Sequence, residues 1–119
     1  MVTISNKNYV PERGDLVWLE FDPQSGHEQS GTRPAMVLTP SSYNKISGMA
    51  LCCPITTKIK GYPFEVVLPT NCKIAGAILT DHIKSLDWRS RNAKFIAKSD
   101  YNTLTEIIKK ILPLIDYKN

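Results

Sequence analysis

The 119-residue sequence predicts an α+β fold: a small antiparallel, barrel-like sheet followed by one C-terminal helix. Three observations carry that reading. Short strand-like runs, punctuated by proline, glycine and polar residues, recur from residue 14 to residue 86. The connections between them are tight, as in antiparallel sheets that close on themselves. Beyond residue 99 the apolar period lengthens to that of a helix. The length suits one domain, residues 1–119, with no room for a second core.

The first strand is GDLVWLEF, residues 14–21, in which both alternating sets of side chains are largely apolar. Such a strand is buried on both faces. Asp22-Pro23 ends it, because proline cannot donate to a ladder. The loop GHEQSGTRP follows, then a strand from Arg33 to Thr39, stopped by Pro40. SSYNKISG reads as a turn or a single helical turn. MALCCPI, residues 49–55, is the third strand and leads into the basic loop TTKIKG. YPFEVVL, residues 62–68, is the fourth, set off by Gly61 and Pro69. AGAILTDHIKSL, residues 75–86, is extended, with a bend expected at Thr80-Asp81, and DWRSRNAKFIAKS stays undecided. In the last segment Leu104, Ile107, Ile108, Ile111, Leu112 and Ile115 form one apolar helical face. Ser99 is the expected cap, Asp100 favours the helix dipole, and Pro113 is expected to kink or shorten the last turn.

Composition excludes several classes. A hydrophobic fraction of 42% with 22% charged residues is that of a folded domain. No apolar run approaches the ~18 residues of a membrane span. The N-terminus lacks the layout of a signal peptide, so a cytoplasmic protein without membrane partners is expected. Cys52 and Cys53 are adjacent and Cys72 stands apart, a spacing unsuited to a tetrahedral metal site. They read as small buried hydrophobes, and no metal is expected. Residues 41–98 carry nine basic and three acidic groups, whereas residues 1–40 carry three and five. That asymmetry fits a polyanion-binding face, and equally a scattered solvated surface.

GHEQSGTRP, residues 26–34, concentrates more proton-handling groups than a turn needs. Together with GDLVWLEFDP (14–23), PITT (54–57), KGYPFEV (60–66) and AGAILTDHIKSLDWRSR (75–91), it resembles the MazF/PemK/Kid family of toxin endoribonucleases, with the MazF branch closest. The resemblance runs from Tyr9 onward. It implies an SH3-like barrel of the MazF/Kid/CcdB type, working as a homodimer without cofactor or metal. It implies sequence-specific cutting of single-stranded RNA, mRNA included, through 2'-hydroxyl attack that leaves 2',3'-cyclic phosphate and 5'-hydroxyl ends. It also implies a cognate MazE-like antitoxin with an acidic disordered tail, and contact with DNA only through that complex.

Arg33 is the first catalytic candidate, since a guanidinium offers paired donors to phosphate oxygens. Because it gives up protons reluctantly, charge stabilisation is favoured over general acid catalysis. Glu28 is either the base for the 2'-hydroxyl or the group that orients Arg33. Thr56 matches the family threonine at the scissile phosphate, with Thr57 as its neighbouring alternative. His27 can donate to phosphate or stack on a base, and Gln29 is grouped with it as RNA-binding. Lys58 and Lys60 would neutralise flanking phosphates. Asp81 matches a family aspartate tied to RNA cutting or recognition. Two departures stand beside it. His82 replaces a glutamine common in the family, and Leu79 replaces an arginine that the Kid branch uses as an acid, which favours a site centred on Arg33 and Thr56. Two alternatives remain: a non-catalytic toxin of the same fold that binds a protein such as DNA gyrase, and an inactive RNA-binding member.

Overall fold

The computed structural model describes residues 8–20 and 31–118. In chain order the elements are β1 (Asp15–Glu20), β2 (Thr32–Val37), α1 (Ser41–Ser47), β3 (Met49–Thr56), β4 (Glu65–Val67), β5 (Ala77–Leu79), a 3₁₀ turn (Thr80–His82), β6 (Lys84–Asp87), β7 (Lys94–Lys98) and α2 (Tyr101–Ile115). The seven strands form one antiparallel sheet in the order β4-β5-β3-β2-β1-β7, with β6 also on β3. β3 organises this arrangement. One edge pairs with β2, while the other is shared by β6 along Met49–Cys52 and by β5 at Ile55 and Thr56. Among the described residues no ladder joins β4 to β7.

The two-sided burial expected of β1 is present, with Leu16, Val17 and Leu19 fully buried. The alternation of side chains sorts the core into two clusters. Leu16, Met36, Cys53, Ile55 and Ile78 pack with Ile107 and Ile111 of α2 on one face. Val17, Leu19, Ala35, Val37, Cys52, Leu86 and Trp88 form the other, with Tyr9 and Val10 laid against it. Cys52 and Cys53 are adjacent and therefore point into opposite clusters. Burial pushes both thiols up to about 12, so they serve as hydrophobes rather than nucleophiles.

Buried polar groups tie the layers together. Asn44 of α1 donates to the Pro11 and Thr39 carbonyls at 2.8 and 2.9 Å and accepts from Thr39 Oγ1, while Trp88 Nε1 donates to its carbonyl oxygen. This set of bonds fixes a seven-residue helix where the sequence suggested a turn or a single helical turn. Pro40 caps that helix without a side-chain bond. Glu12, 29 positions upstream, substitutes for the cap by accepting from Ser41 N at 2.8 Å. Asp15 is buried and accepts from Tyr9 Oη at 2.6 Å, with Lys98 Nζ also at 2.6 Å.

Several boundaries differ from expectation. β4 is only three residues long because Tyr62–Phe64 make a turn, in which Glu65 N donates to the Tyr62 carbonyl. The bend at Thr80-Asp81 is a 3₁₀ turn that separates β5 from β6. The undecided segment resolves into a turn, anchored by Asp87, and strand β7. Asp100, not Ser99, caps α2 by accepting from Thr103 N at 2.8 Å. The sheet pairing runs on through Ser99, whose N–H donates to the Gly14 carbonyl, so the helix starts one residue later than expected. α2 continues two residues past Pro113, where the lost hydrogen bond falls in an exposed final turn.

Candidate RNA-cleaving site

The two principal candidates lie on neighbouring strands, at the same end of the β2–β3 ladder. β2 pairs with β3 as Ala35↔Pro54, Met36↔Cys53 and Val37↔Cys52. The pairing ends at Ala35 and Pro54, two residues short of Arg33 on β2 and of Thr56 on β3. Both belong to the alternating set that holds Ala35 and Cys52, so they share one face of the sheet. On its other side Arg33 is paired with Leu19 of β1, which is fully buried. Arg33 is thus an exposed side chain on a rigid backbone, the combination that catalytic positioning requires.

Thr56 is the last residue of β3 and is half-buried. Its Oγ1 accepts from Lys58 N at 3.0 Å, a local turn that ends the strand. The bond occupies a lone pair of the oxygen and leaves its proton available to donate outward. Thr57 follows in an exposed bend, and Lys58 and Lys60 are exposed beyond it. Thr56, Lys58 and Lys60 line one cleft of about 180 Å³ together with Tyr62, Leu79 and His82. Asp81 does not line it but stands beside it, its carboxylate 3.8 Å from His82 Nε2.

Buried Thr80 positions the 3₁₀ turn, its Oγ1 donating to the Phe64 carbonyl at 2.6 Å and its N–H to the same oxygen at 3.1 Å. Leu79 and Glu65 are register partners between β5 and β4, and both line the cleft. Gly76 sits directly behind Thr56. His27, Glu28 and Gln29 lie outside the described residues. Among the described residues no group of three or more His, Cys, Asp or Glu side chains is placed to hold a metal ion, and no helix is long and apolar enough to cross a membrane.

Sequence reasoning did not select Tyr62, Glu65 or Gly76. The signal for Tyr62 is Gly61 and Pro63 on either side of it, which mark a turn inside a run whose apolar content alone predicts strand over 62–68.

Residues 12–115 match the family model described as PemK-like, MazF-like toxin of type II toxin-antitoxin system. The chain is 55% identical over 85 residues to the endoribonuclease toxin MazF of Escherichia coli K12, covering 71% of this chain and 76% of that protein. It is 32% identical over 114 residues to the endoribonuclease toxin ChpB of the same organism, covering 88% and 94%. A crystal structure of MazE-MazF from Deinococcus radiodurans superposes with a TM-score of 0.87 at 50% identity, over 91% of this chain and 97% of the matched one.

Proposed function

Because the chain belongs to the PemK-like, MazF-like toxins of type II toxin–antitoxin systems, we propose that it is an endoribonuclease toxin that cuts single-stranded RNA, with Arg33 and Thr56 at the reacting phosphate. What supports this reading is that Arg33 and Thr56 lie just beyond the same end of the β2–β3 ladder, in alternating sets that share one face, with Thr56 lining a cleft that also holds Lys58 and Lys60.

The RNA's own 2'-hydroxyl attacks the adjacent phosphorus. A bond forms from O2' to phosphorus, the bond to O5' breaks, and the products are a 2',3'-cyclic phosphate and a 5'-hydroxyl. Negative charge grows on the non-bridging oxygens as this happens. The planar fork of Arg33 can engage two of them, and the Thr56 hydroxyl can donate to one. Glu28 either takes the 2'-hydroxyl proton or orients Arg33. Lys58 and Lys60 neutralise flanking phosphates, which makes binding weaken as salt rises. The reaction needs no metal or cofactor: the substrate supplies the nucleophile, Arg33 and the lysines supply charge, and the proton lost from the 2'-hydroxyl is balanced by one that water delivers to the departing O5'.

The same basic cleft suits the acidic, disordered tail of a MazE-like antitoxin, which would inhibit by covering it. The Deinococcus radiodurans MazE-MazF structure supports such a partner. The proposed working form is a cytoplasmic homodimer of a single domain, residues 1–119, that reaches DNA only through its antitoxin. Its action on mRNA would arrest translation and growth.

The test is cleavage of a long single-stranded RNA in EDTA, with the ends mapped and their chemistry determined. Discrete cuts bearing 2',3'-cyclic phosphate and 5'-hydroxyl ends are expected. Loss of cutting on chelation, or 5'-phosphate ends, would refute the mechanism. Mapping the same ends yields the sequence that is read.

A further inference from the structure

Tyr62 is 60% exposed, yet its loop is held more firmly than an idle surface loop needs to be. The Glu65 carboxylate accepts from Gly61 N at 2.8 Å and from Lys60 N at 3.1 Å, so it grips the two residues before the ring. The Tyr62 carbonyl accepts from Glu65 N, and Gly61 takes a φ of +79° that makes the tight path possible. Beyond the ring, the Pro63 carbonyl accepts from Lys110 Nζ of α2, and the Phe64 carbonyl accepts from both the hydroxyl and the N–H of Thr80. A large exposed ring is thus presented on an anchored loop, in the same cleft as the Thr56 hydroxyl.

We propose that this cleft, walled by Tyr62, Leu79 and His82, receives the nucleobase of the nucleotide adjoining the phosphate at Thr56, with Tyr62 as its stacking platform. The inference rests on the ribonuclease reading and adds to it a residue that selects and positions substrate. An aromatic ring offers its face to any base, and Leu79 supplies an apolar wall. Lys60 Nζ lies over one face of the Tyr62 ring, 5.9 Å from its centroid, so a base stacks on the opposite face or displaces this ammonium, which is then free to meet the nucleotide's phosphate. The one carboxylate in the cleft wall, Glu65, is turned to backbone N–H groups of the loop, which offsets its repulsion of RNA. A peptide tail would use the lysines but has no comparable need for a fixed ring, which favours RNA as the occupant.

The probe is a single-stranded oligonucleotide carrying the mapped cleavage sequence, with 2'-deoxyribose at the scissile nucleotide so that it binds without being cut. Affinity is read by fluorescence anisotropy for wild type, Tyr62→Ala and Tyr62→Phe, with matched heat-unfolding midpoints as the folding check. Tyr62→Ala should bind roughly 5- to 150-fold more weakly, the range for losing one stacked base, and Tyr62→Phe should bind like wild type. An abasic residue at one position beside the scissile phosphate should weaken wild type by a similar factor and leave Tyr62→Ala unaffected. On cleavable RNA the variant's loss should appear in KM more than in kcat. Equal affinity of Tyr62→Ala and wild type, or an abasic penalty undiminished in Tyr62→Ala, overturns the proposal while the ribonuclease reading stands. The proposal is likewise overturned if Tyr62→Ala weakens only the grip of an acidic antitoxin peptide. A wild type that neither binds nor cuts RNA removes both.

Discussion

Gly76 lies so close to Thr56 that a Cβ added to it would stand 2.6 Å from the Thr56 carbonyl oxygen. It also holds a φ of +142°, which side-chain-bearing residues rarely adopt. The backbone that carries the Thr56 hydroxyl is therefore seated directly on a glycine. In Gly76→Ala the Thr56 carbonyl must move, because both colliding atoms are bound to backbone. We expect kcat/KM for RNA cleavage to fall by up to ~10²-fold, the scale of an ångström-sized misplacement, with a stability loss of about 1–3 kcal/mol from the strained conformation. Assays below the variant's unfolding temperature separate the two effects. Wild-type kcat/KM in the folded variant would show that Thr56 needs no such seat.

Arg33 offers the sharpest test of the chemistry. Arg33→Ala should lower kcat by ~10²–10³-fold, as loss of a preorganised donor does. Arg33→Lys should recover part of that, since it restores the charge but not the paired donors. Far-UV circular dichroism should be unchanged in both, because the side chain is exposed. If Lys and Ala variants prove equally inactive, the planar fork matters more than the charge.

Asn44 is a structural counterpart with no part in the chemistry. Asn44→Ala strips partners from the Pro11 and Thr39 carbonyls and the Thr39 hydroxyl in a buried setting. A destabilisation of about 3 kcal/mol is expected in urea unfolding. Specific activity per folded molecule should stay at the wild-type level.

Acid stability depends on three exposed carboxylates. Backbone hydrogen bonds to Ser41 and Arg13 hold Glu12 below its ordinary range, and the backbone N–H of Ser90 does the same for Asp87. Thr103 lowers Asp100 at the start of α2. A carboxyl group whose folded pKa is depressed stabilises the fold above its unfolded pKa, and loses that contribution as pH falls through the folded value. Urea midpoints should therefore be level above about pH 5 and decline below it. Glu12→Gln should flatten part of that decline. A midpoint independent of pH down to 3 would contradict this assignment.

Thiol reactivity should separate the three cysteines. Cys52 and Cys53 are buried with thiols pushed up to about 12, while Cys72 is half-buried. Native protein treated with a thiol reagent at pH 8 should titrate Cys72 first, and the adjacent pair only on unfolding. Rapid labelling of all three in native buffer would contradict the burial.

Much of this molecule could be read from residue order alone. The apolar alternation in GDLVWLEF required a strand buried on both sides, because periodicity and burial are linked locally. Of the six apolar positions read as one helical face, Leu104, Ile107 and Ile111 meet the core, whereas Ile108, Leu112 and Ile115 are exposed. Caps and turn ends were harder to read. The cap fell to Asp100 because the sheet pairing runs on through Ser99, whose N–H donates to Gly14, a partner 85 positions away. The motifs likewise singled out Arg33 and Thr56 one at a time. Only the β2–β3 pairing, fixed by which faces must be buried, put them at the same end of neighbouring strands. Tyr62 drew no notice in the sequence, where it was one apolar residue in a strand-like run. Its anchored, exposed position depends on Glu65, Thr80 and Lys110, side chains brought together by the fold. The chain thus carried its element types and reactive groups in local pattern, whereas their mutual placement came from long-range hydrogen bonds and the packing of two core clusters.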